Sequence, residues 1–128
     1  MSQPERRLCV ISFGFLHAEP PIEADMIIDL RPLRDPHIDP ALREMTARDQ
    51  AVVDTVLRTP GIPEHITGAA FHAHRELTEG FDVTTAVGCS GGRHRAPVVA
   101  EHVAAAVREY GWPVDVIHRD LDKPVVNR

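Results

Sequence analysis

Gly88-Cys89-Ser90-Gly91-Gly92-Arg93-His94-Arg95 follows an apolar, β-like run at residues 83–87 and precedes a stretch of helical apolar spacing opened by Pro97. A strand, a loop of small residues and a helix, in that order, predict an anion pocket. Small residues let successive backbone N–H groups turn inward as a nest, and the helix N-terminus adds the positive end of its dipole. Arg95 adds a planar fork matched to phosphate oxygens. Cys89 and Arg95 also stand in the spacing Cys-x5-Arg, so the loop reads as a binder of something phosphorylated that is either held or acted upon.

The same alternation of elements extends in both directions. Leu8-Cys9-Val10-Ile11-Ser12 and Met26-Ile27-Ile28-Asp29-Leu30 are apolar enough for buried strands, and residues 114–118 suit a last strand. Residues 31–40 hold Pro32, Pro36 and Pro40, which remove backbone donors and restrict their neighbours. That segment therefore reads as an ordered loop rather than an element, and it carries His37 and Asp39. Between Asp49 and Arg58, Val52, Val53, Val56 and Leu57 fall on one helical face that Thr59-Pro60-Gly61 stops. Pro63 opens a second helix, which Gly80 ends as a residue suited to left-handed backbone. Val99, Val103, Val107 and Tyr110 share a side of the third helix, before Gly111 and Pro113.

The order β, β, α, α, β, α, β predicts an α/β fold with a mainly parallel sheet flanked by helices and right-handed connections. In such sheets ligands collect beyond the carboxyl ends of the strands. Ser12-Phe13-Gly14, Asp29-Leu30-Arg31 and Gly88-Cys89-Ser90 occupy those ends, and they converge if their strands are neighbours.

With 128 residues, 43% of them hydrophobic, the chain suits one core and is short for two ordinary domains. The expected layout is an N-terminal tail at 1–7, a single domain at 8–123 and a C-terminal tail at 124–128. Fourteen basic residues against 19 acidic, a formal net charge of -5, argue against a broad nucleic-acid footprint, so any RNA contact would be local. No run is long and apolar enough for a signal segment or a membrane span. Cys9 and Cys89 form neither a CxxC pair nor a dense framework, which fits a reduced, cytoplasmic setting.

Several blocks are recognisable in sequence: Ser12-Phe13-Gly14-Phe15, Ala24-Asp25, Asp29-Leu30-Arg31, Pro36-His37-Ile38-Asp39-Pro40 with Leu42-Arg43, Thr46 and Asp49, the loop from Gly88 to Arg95, and His118-Arg119 with Leu121. Together, over about residues 10–123, they resemble the C-terminal domain of the RapZ-type RNase adapter proteins. The resemblance implies binding of glucosamine-6-phosphate and a small regulatory RNA, and self-association as a homodimer. Full-length members also carry a kinase-like domain with a Walker-type P-loop, and no G-x-x-x-x-G-K-[ST] occurs in this sequence. Sensing or adapter functions carry over, and nucleotide chemistry does not. Ala96 replaces the hydroxyl residue usual after the loop arginine, and the family's lysine-rich tail is reduced to Lys123 and Arg128 beside Asp120 and Asp122.

Ligand-binding candidates are therefore Asp29, Arg31, His37, Cys89, Ser90, Gly91, Gly92, Arg93, His94 and Arg95. Asp29 would accept from a sugar hydroxyl or an ammonium group, although a carboxylate at a strand end also serves as a cap or an arginine's partner. Arg31 and His37 would close the pocket, or lie in solvent. Cys89 at a helix N-terminus beside arginines is either a low-pKa nucleophile of a Cys-x5-Arg phosphatase or a small residue packed under the loop. Catalysis is not expected, because Ala96 cannot stabilise a leaving thiolate. A local RNA site would use Arg93, His94, Arg95, His118, Arg119 and Lys123. No cofactor is implied, and no metal, since His72 and His74 stand two apart on a predicted helix and face different directions. Glu101 and His102 are expected to face solvent or a partner subunit, and Cys9 to be core.

Overall fold

The structure, a computed structural model, describes residues 6–126, so residues 1–5 and 127–128 of the expected tails lie outside the described residues. Four strands, β1 (Leu8–Gly14), β2 (Met26–Asp29), β3 (Val83–Cys89) and β4 (Val114–His118), pair in parallel in the order β2-β3-β1-β4. Three helices complete the domain: α1 (Gln50–Leu57), α2 (Ile62–Glu79) and α3 (Arg95–Glu109). The architecture is the expected α/β fold, an all-parallel sheet flanked by helices.

Strand order decides where the helices lie. The step from β2 to β3, through α1 and α2, and the step from β3 to β4, through α3, both run in the same direction across the sheet. Right-handed crossovers therefore place all three helices on one face. The step from β1 to β2 runs the opposite way, so its connection, residues 15–25, crosses the other face. Side chains follow this division. Leu8, Val10, Ile28, Val83, Val87 and Cys89 join Val52, Val56, Leu77, Val99 and Val103 in one buried core. Phe13, on the other face, meets Phe15 edge-on with ring centroids 4.8 Å apart.

Helix boundaries follow local chemistry. Gly61, at φ 94°, turns the chain from α1 into α2, and Gly80, at φ 112°, ends α2 with its N–H directed to the Glu76 and Leu77 carbonyls. Both are conformations that side chains resist. β1 and β3 each run two residues beyond the sequence expectation, to Gly14 and Cys89, and two helical segments differ as well. Residues 36–38 form one turn of 3-10 helix, because Asp35 caps it by accepting from the His37 N–H at 3.0 Å and Pro36 supplies the fixed φ of a first helical position. Helix α3 begins at Arg95, two residues before Pro97, since proline is tolerated throughout a first turn whose N–H groups have no helical partner.

Among the described residues no helix is long and apolar enough to cross a membrane.

Candidate functional site at the divergence of two strands

β1 and β3 are neighbours, with Gly14 opposite Cys89; past that pair the Phe15 N–H still bonds the Cys89 carbonyl at 2.9 Å and the Leu16 N–H the Ser90 carbonyl at 3.0 Å, and only then do the chains part, one into residues 17–25 and the other into α3. Such a divergence leaves a crevice at the carboxyl ends of the strands. Here the loop from Cys89 to Arg95 folds back over it. β2 stands on the far side of β3, with Asp29 opposite Gly88, so the three strand ends do converge.

Glycine is required where the loop meets β1. A Cβ on Gly14 would lie 2.5 Å from the Gly91 carbonyl carbon and 2.7 Å from the Gly92 nitrogen, backbone atoms with nowhere to go. Gly92 takes φ 76°, and a Cβ there would stand 2.8 Å from the Gly14 nitrogen. The Cys89 thiol, 2% exposed, accepts the N–H groups of Gly92 at 3.3 Å and Ala96 at 3.4 Å. Two amides of the predicted nest thus turn toward sulfur, one from the loop and one from the first turn of α3.

The loop's cations are bonded within the fold. Arg95 is 1% exposed; its Nη1 donates to the carbonyls of Leu30 at 2.9 Å, Leu33 at 2.8 Å and Arg31 at 3.3 Å, and its Nη2 stands 3.2 Å from Asp35 Oδ2. It reaches the Ser90 hydroxyl only at 3.4 Å. A buried guanidinium needs such partners, and in supplying them the segment 30–35 is tied to α3. Arg93 donates to the carbonyls of Lys123 at 2.7 Å and Glu44 at 3.2 Å. His94 Nε2 lies 2.7 Å from the Met45 carbonyl, and burial pushes the imidazole below its usual pKa against the opposing pull of that carbonyl. It is therefore neutral at pH 7, with Nε2–H as the donor.

His37, Cys89, Gly91, Arg93 and His94 line one cavity together with Asp35 and Val125. Its volume is about 10 Å³, room for roughly one water. Asp29, Arg31, Ser90, Gly92 and Arg95 are not among the residues that line it. The Arg31 guanidinium bonds Asp29 through two side-chain contacts, at 2.7 and 3.0 Å, and stacks 3.7 Å above the Phe15 ring. Arg31's hydrogen bonds hold the Asp29 carboxyl below the usual range despite some desolvation.

Asp120, which the sequence reading counts only as charge lost from a tail, is fully buried behind the loop. Its Oδ2 accepts the Gly14 N–H and Arg119 Nη2, each at 2.8 Å, while Lys123 Nζ stands 2.6 Å from Oδ1. Burial alone would raise this carboxyl, but Arg119, the Gly14 N–H and Lys123 outweigh it and hold the pKa at about 2. Arg119 also donates to the carbonyl of Glu19 at 2.6 Å. A second unforeseen set joins Ser12, His118 and Glu101. His118 Nδ1 lies 2.6 Å from the Ser12 hydroxyl and Nε2 lies 2.8 Å from Glu101 Oε1. Glu101 thus faces this chain's own His118. The sequence signal was the placement of Ser12 and His118 at the ends of adjacent strands, visible once β1 and β4 are paired.

The model of the RapZ C-terminal domain family matches residues 6–122. A Thermobifida fusca protein named a nucleotide-binding protein is 39% identical over 123 residues, covering 91% of this chain and 41% of its own length. Similarly named proteins of Rhodospirillum centenum and Thermus thermophilus are 41% and 40% identical, over 94% and 91% of this chain and 37% and 43% of theirs. The chain thus spans about two fifths of the length of the curated relatives it matches.

Proposed function

Because this chain belongs to the RapZ C-terminal domain family, we propose that it is a regulatory domain that binds a small phosphorylated ligand, an amino sugar phosphate of the glucosamine-6-phosphate kind, at the loop from Cys89 to Arg95. The observation that carries this reading is the convergence of His37, Cys89, Gly91, Arg93 and His94 on one cavity at the point where β1 and β3 part. Phosphate oxygens would take loop N–H groups and the Arg93 guanidinium, in place of the neutral carbonyls that Arg93 now holds. Arg95 would act from behind, fixing the segment that presents Arg31 and His37. Asp29 would accept the ligand's ammonium or a hydroxyl, at the cost of one of its bonds to Arg31.

Thermal shift tests the reading. Ligand at about 100 times Kd adds roughly 2.7 kcal/mol to the folded state, so glucosamine-6-phosphate should raise the melting temperature clearly and glucosamine without phosphate should not. Arg93→Ala should abolish the shift. Equal shifts in wild type and variant would remove the loop from the site.

One observation favours a second reading, a cysteine-dependent phosphatase: the Cys89 sulfur stands at the start of α3, accepting the Gly92 and Ala96 N–H groups, where a nucleophile of that class would be placed. Against it stand Ala96 and the commitment of Arg95 to carbonyls. Aryl phosphate turnover that disappears in Cys89→Ser would establish it, and the sensor reading expects ligand binding to survive that substitution without turnover. RNA draws less support, since Arg93, His94, Arg95, His118, Arg119 and Lys123 each bond a group of this fold. With about three phosphate contacts, a log-log salt slope near -2 is the most they would give on a single strand.

A further inference from the structure

The cavity at Cys89 is too small for the ligand just proposed, and one side chain of its lining comes from the far end of the chain. Val125 lies over it, carried by the segment that follows β4. Two of this segment's attachments differ in character. At its base Asp120 is fully buried, bonded to the Gly14 N–H, and its own carbonyl accepts the Lys123 N–H at 3.1 Å. Farther on, Asp122 pairs with Arg48 through both carboxylate oxygens, one of them 3.1 Å from Nη2, with side chains 76% and 59% exposed. The Lys123 carbonyl is held by Arg93 Nη1 at 2.7 Å. A buried root and an exposed, salt-sensitive latch describe a strap that pivots near Leu121.

We propose that residues 120–126 form a strap that shuts the Cys89 cavity, latched by Arg48 on Asp122 and by Arg93 on the Lys123 carbonyl, and that an anion entering the loop lifts it. The second clause rests on the phosphate-binding reading above. Arg93 couples the two events because it both lines the cavity and holds the strap. A phosphate oxygen accepts a guanidinium N–H more strongly than a neutral carbonyl does, so binding draws Arg93 from Lys123 and loosens the strap that carries Val125. Ligand and closed strap compete for the same guanidinium, and by linkage whatever loosens the strap must tighten ligand binding.

Thiol labelling of the full chain tests the cover without any ligand. Cys89 alkylation by iodoacetamide is followed by peptide mass spectrometry, and Cys9, which β1 leaves half-buried and outside the core expected for it because it points away from the helices, reports general loosening. Asp122→Ala should speed Cys89 labelling up to about fivefold, the population change that loss of one exposed ion pair can supply, and Val125→Gly should also speed it by uncovering the cavity, with Cys9 unaffected in both. Raised salt should speed the wild type and leave Asp122→Ala unchanged. Cys89 rates equal to wild type in both variants would overturn the strap, whatever the loop binds. Inorganic phosphate then serves as the probe of coupling: amide exchange at residues 121–126 should rise on its addition, and Asp122→Ala should bind it more tightly. Faster labelling in the variants with no response to phosphate would keep the cover but overturn both the coupling and the phosphate-binding reading. Binding to the loop with unchanged exchange at 121–126 would overturn the coupling alone.

Discussion

Replacing Asp120 by Asn removes one negative charge from the buried root of the strap and keeps the side chain's shape. The amide oxygen can still accept the Gly14 N–H, but its NH2 then faces Arg119 or Lys123, donor against donor. The magnitude follows from the carboxyl itself. Burial raises its pKa, and Arg119, the Gly14 N–H and Lys123 bring it from 3.8 down to about 2. At 1.36 kcal/mol per unit that difference stabilises the folded state by about 2.4 kcal/mol at most. Arg119 and Lys123 are 25% and 46% exposed, so water screens part of the attraction, and about 1.5 kcal/mol is a better expectation for the variant's loss.

The pH dependence has a definite sign. A carboxyl whose folded pKa is depressed contributes fully above its unfolded value, near 4, and loses that contribution as pH falls toward about 2. Urea denaturation of both proteins should therefore show the full gap at neutral pH and a closing gap between about pH 4 and pH 2. Comparing the variant with wild type at each pH cancels the other depressed carboxyls, Asp29 and Asp122 among them. Equal stability at pH 7, or a gap that stays constant through the acid range, would refute the assignment of Asp120 as an ionised, paired group behind the loop.

Three further outcomes follow from the packing around the loop. Gly14→Ala should cost about 2 kcal/mol in urea denaturation, because its Cβ would meet the Gly91 carbonyl carbon at 2.5 Å and the loop must move to accept it; wild-type stability would mean the loop slides freely. Arg95→Lys should cost about 3–5 kcal/mol, since a single ammonium cannot bond three carbonyls and Asp35 at once while remaining buried; a thermal melt within about 1 kcal/mol of wild type would contradict this. Ser12→Ala leaves His118 Nδ1 without its partner beneath α3 and should cost about 1–2 kcal/mol by the same assay; a neutral result would show that water takes the hydroxyl's place.

What was legible in the sequence was what repeats locally. Strands β1 to β4 announce themselves as apolar β-branched runs and Gly80 ends a helix that its apolar spacing had already drawn, whereas the face on which the helices lie followed only from the strand order. The loop was legible for the same reason, because small residues between a strand and a helix permit few geometries. The roles of its charged residues were not. Cys-x5-Arg fixes how far Arg95 stands from Cys89 along the chain, but not which way the guanidinium turns. That is decided by carbonyls 62 to 65 positions earlier, at Leu30, Arg31 and Leu33. Asp120 has Arg119 and Lys123 within three positions, but what ties it behind the loop is an N–H 106 positions away, at Gly14. Every residue offers a carbonyl and nearly every residue an N–H, so a side chain destined for a backbone partner leaves no complementary residue type to find. A charged pair such as Arg48 and Asp122 can be sought in a sequence; an arginine that holds a carbonyl can be found only once the chain has brought that carbonyl to it. In this fold Arg93 holds carbonyls, and Arg95 and Arg119 do so besides meeting the carboxylates of Asp35 and Asp120. Composition therefore made the loop read as a free cationic cradle, whereas the folded chain has already committed those guanidinium groups, and an anion must compete for them.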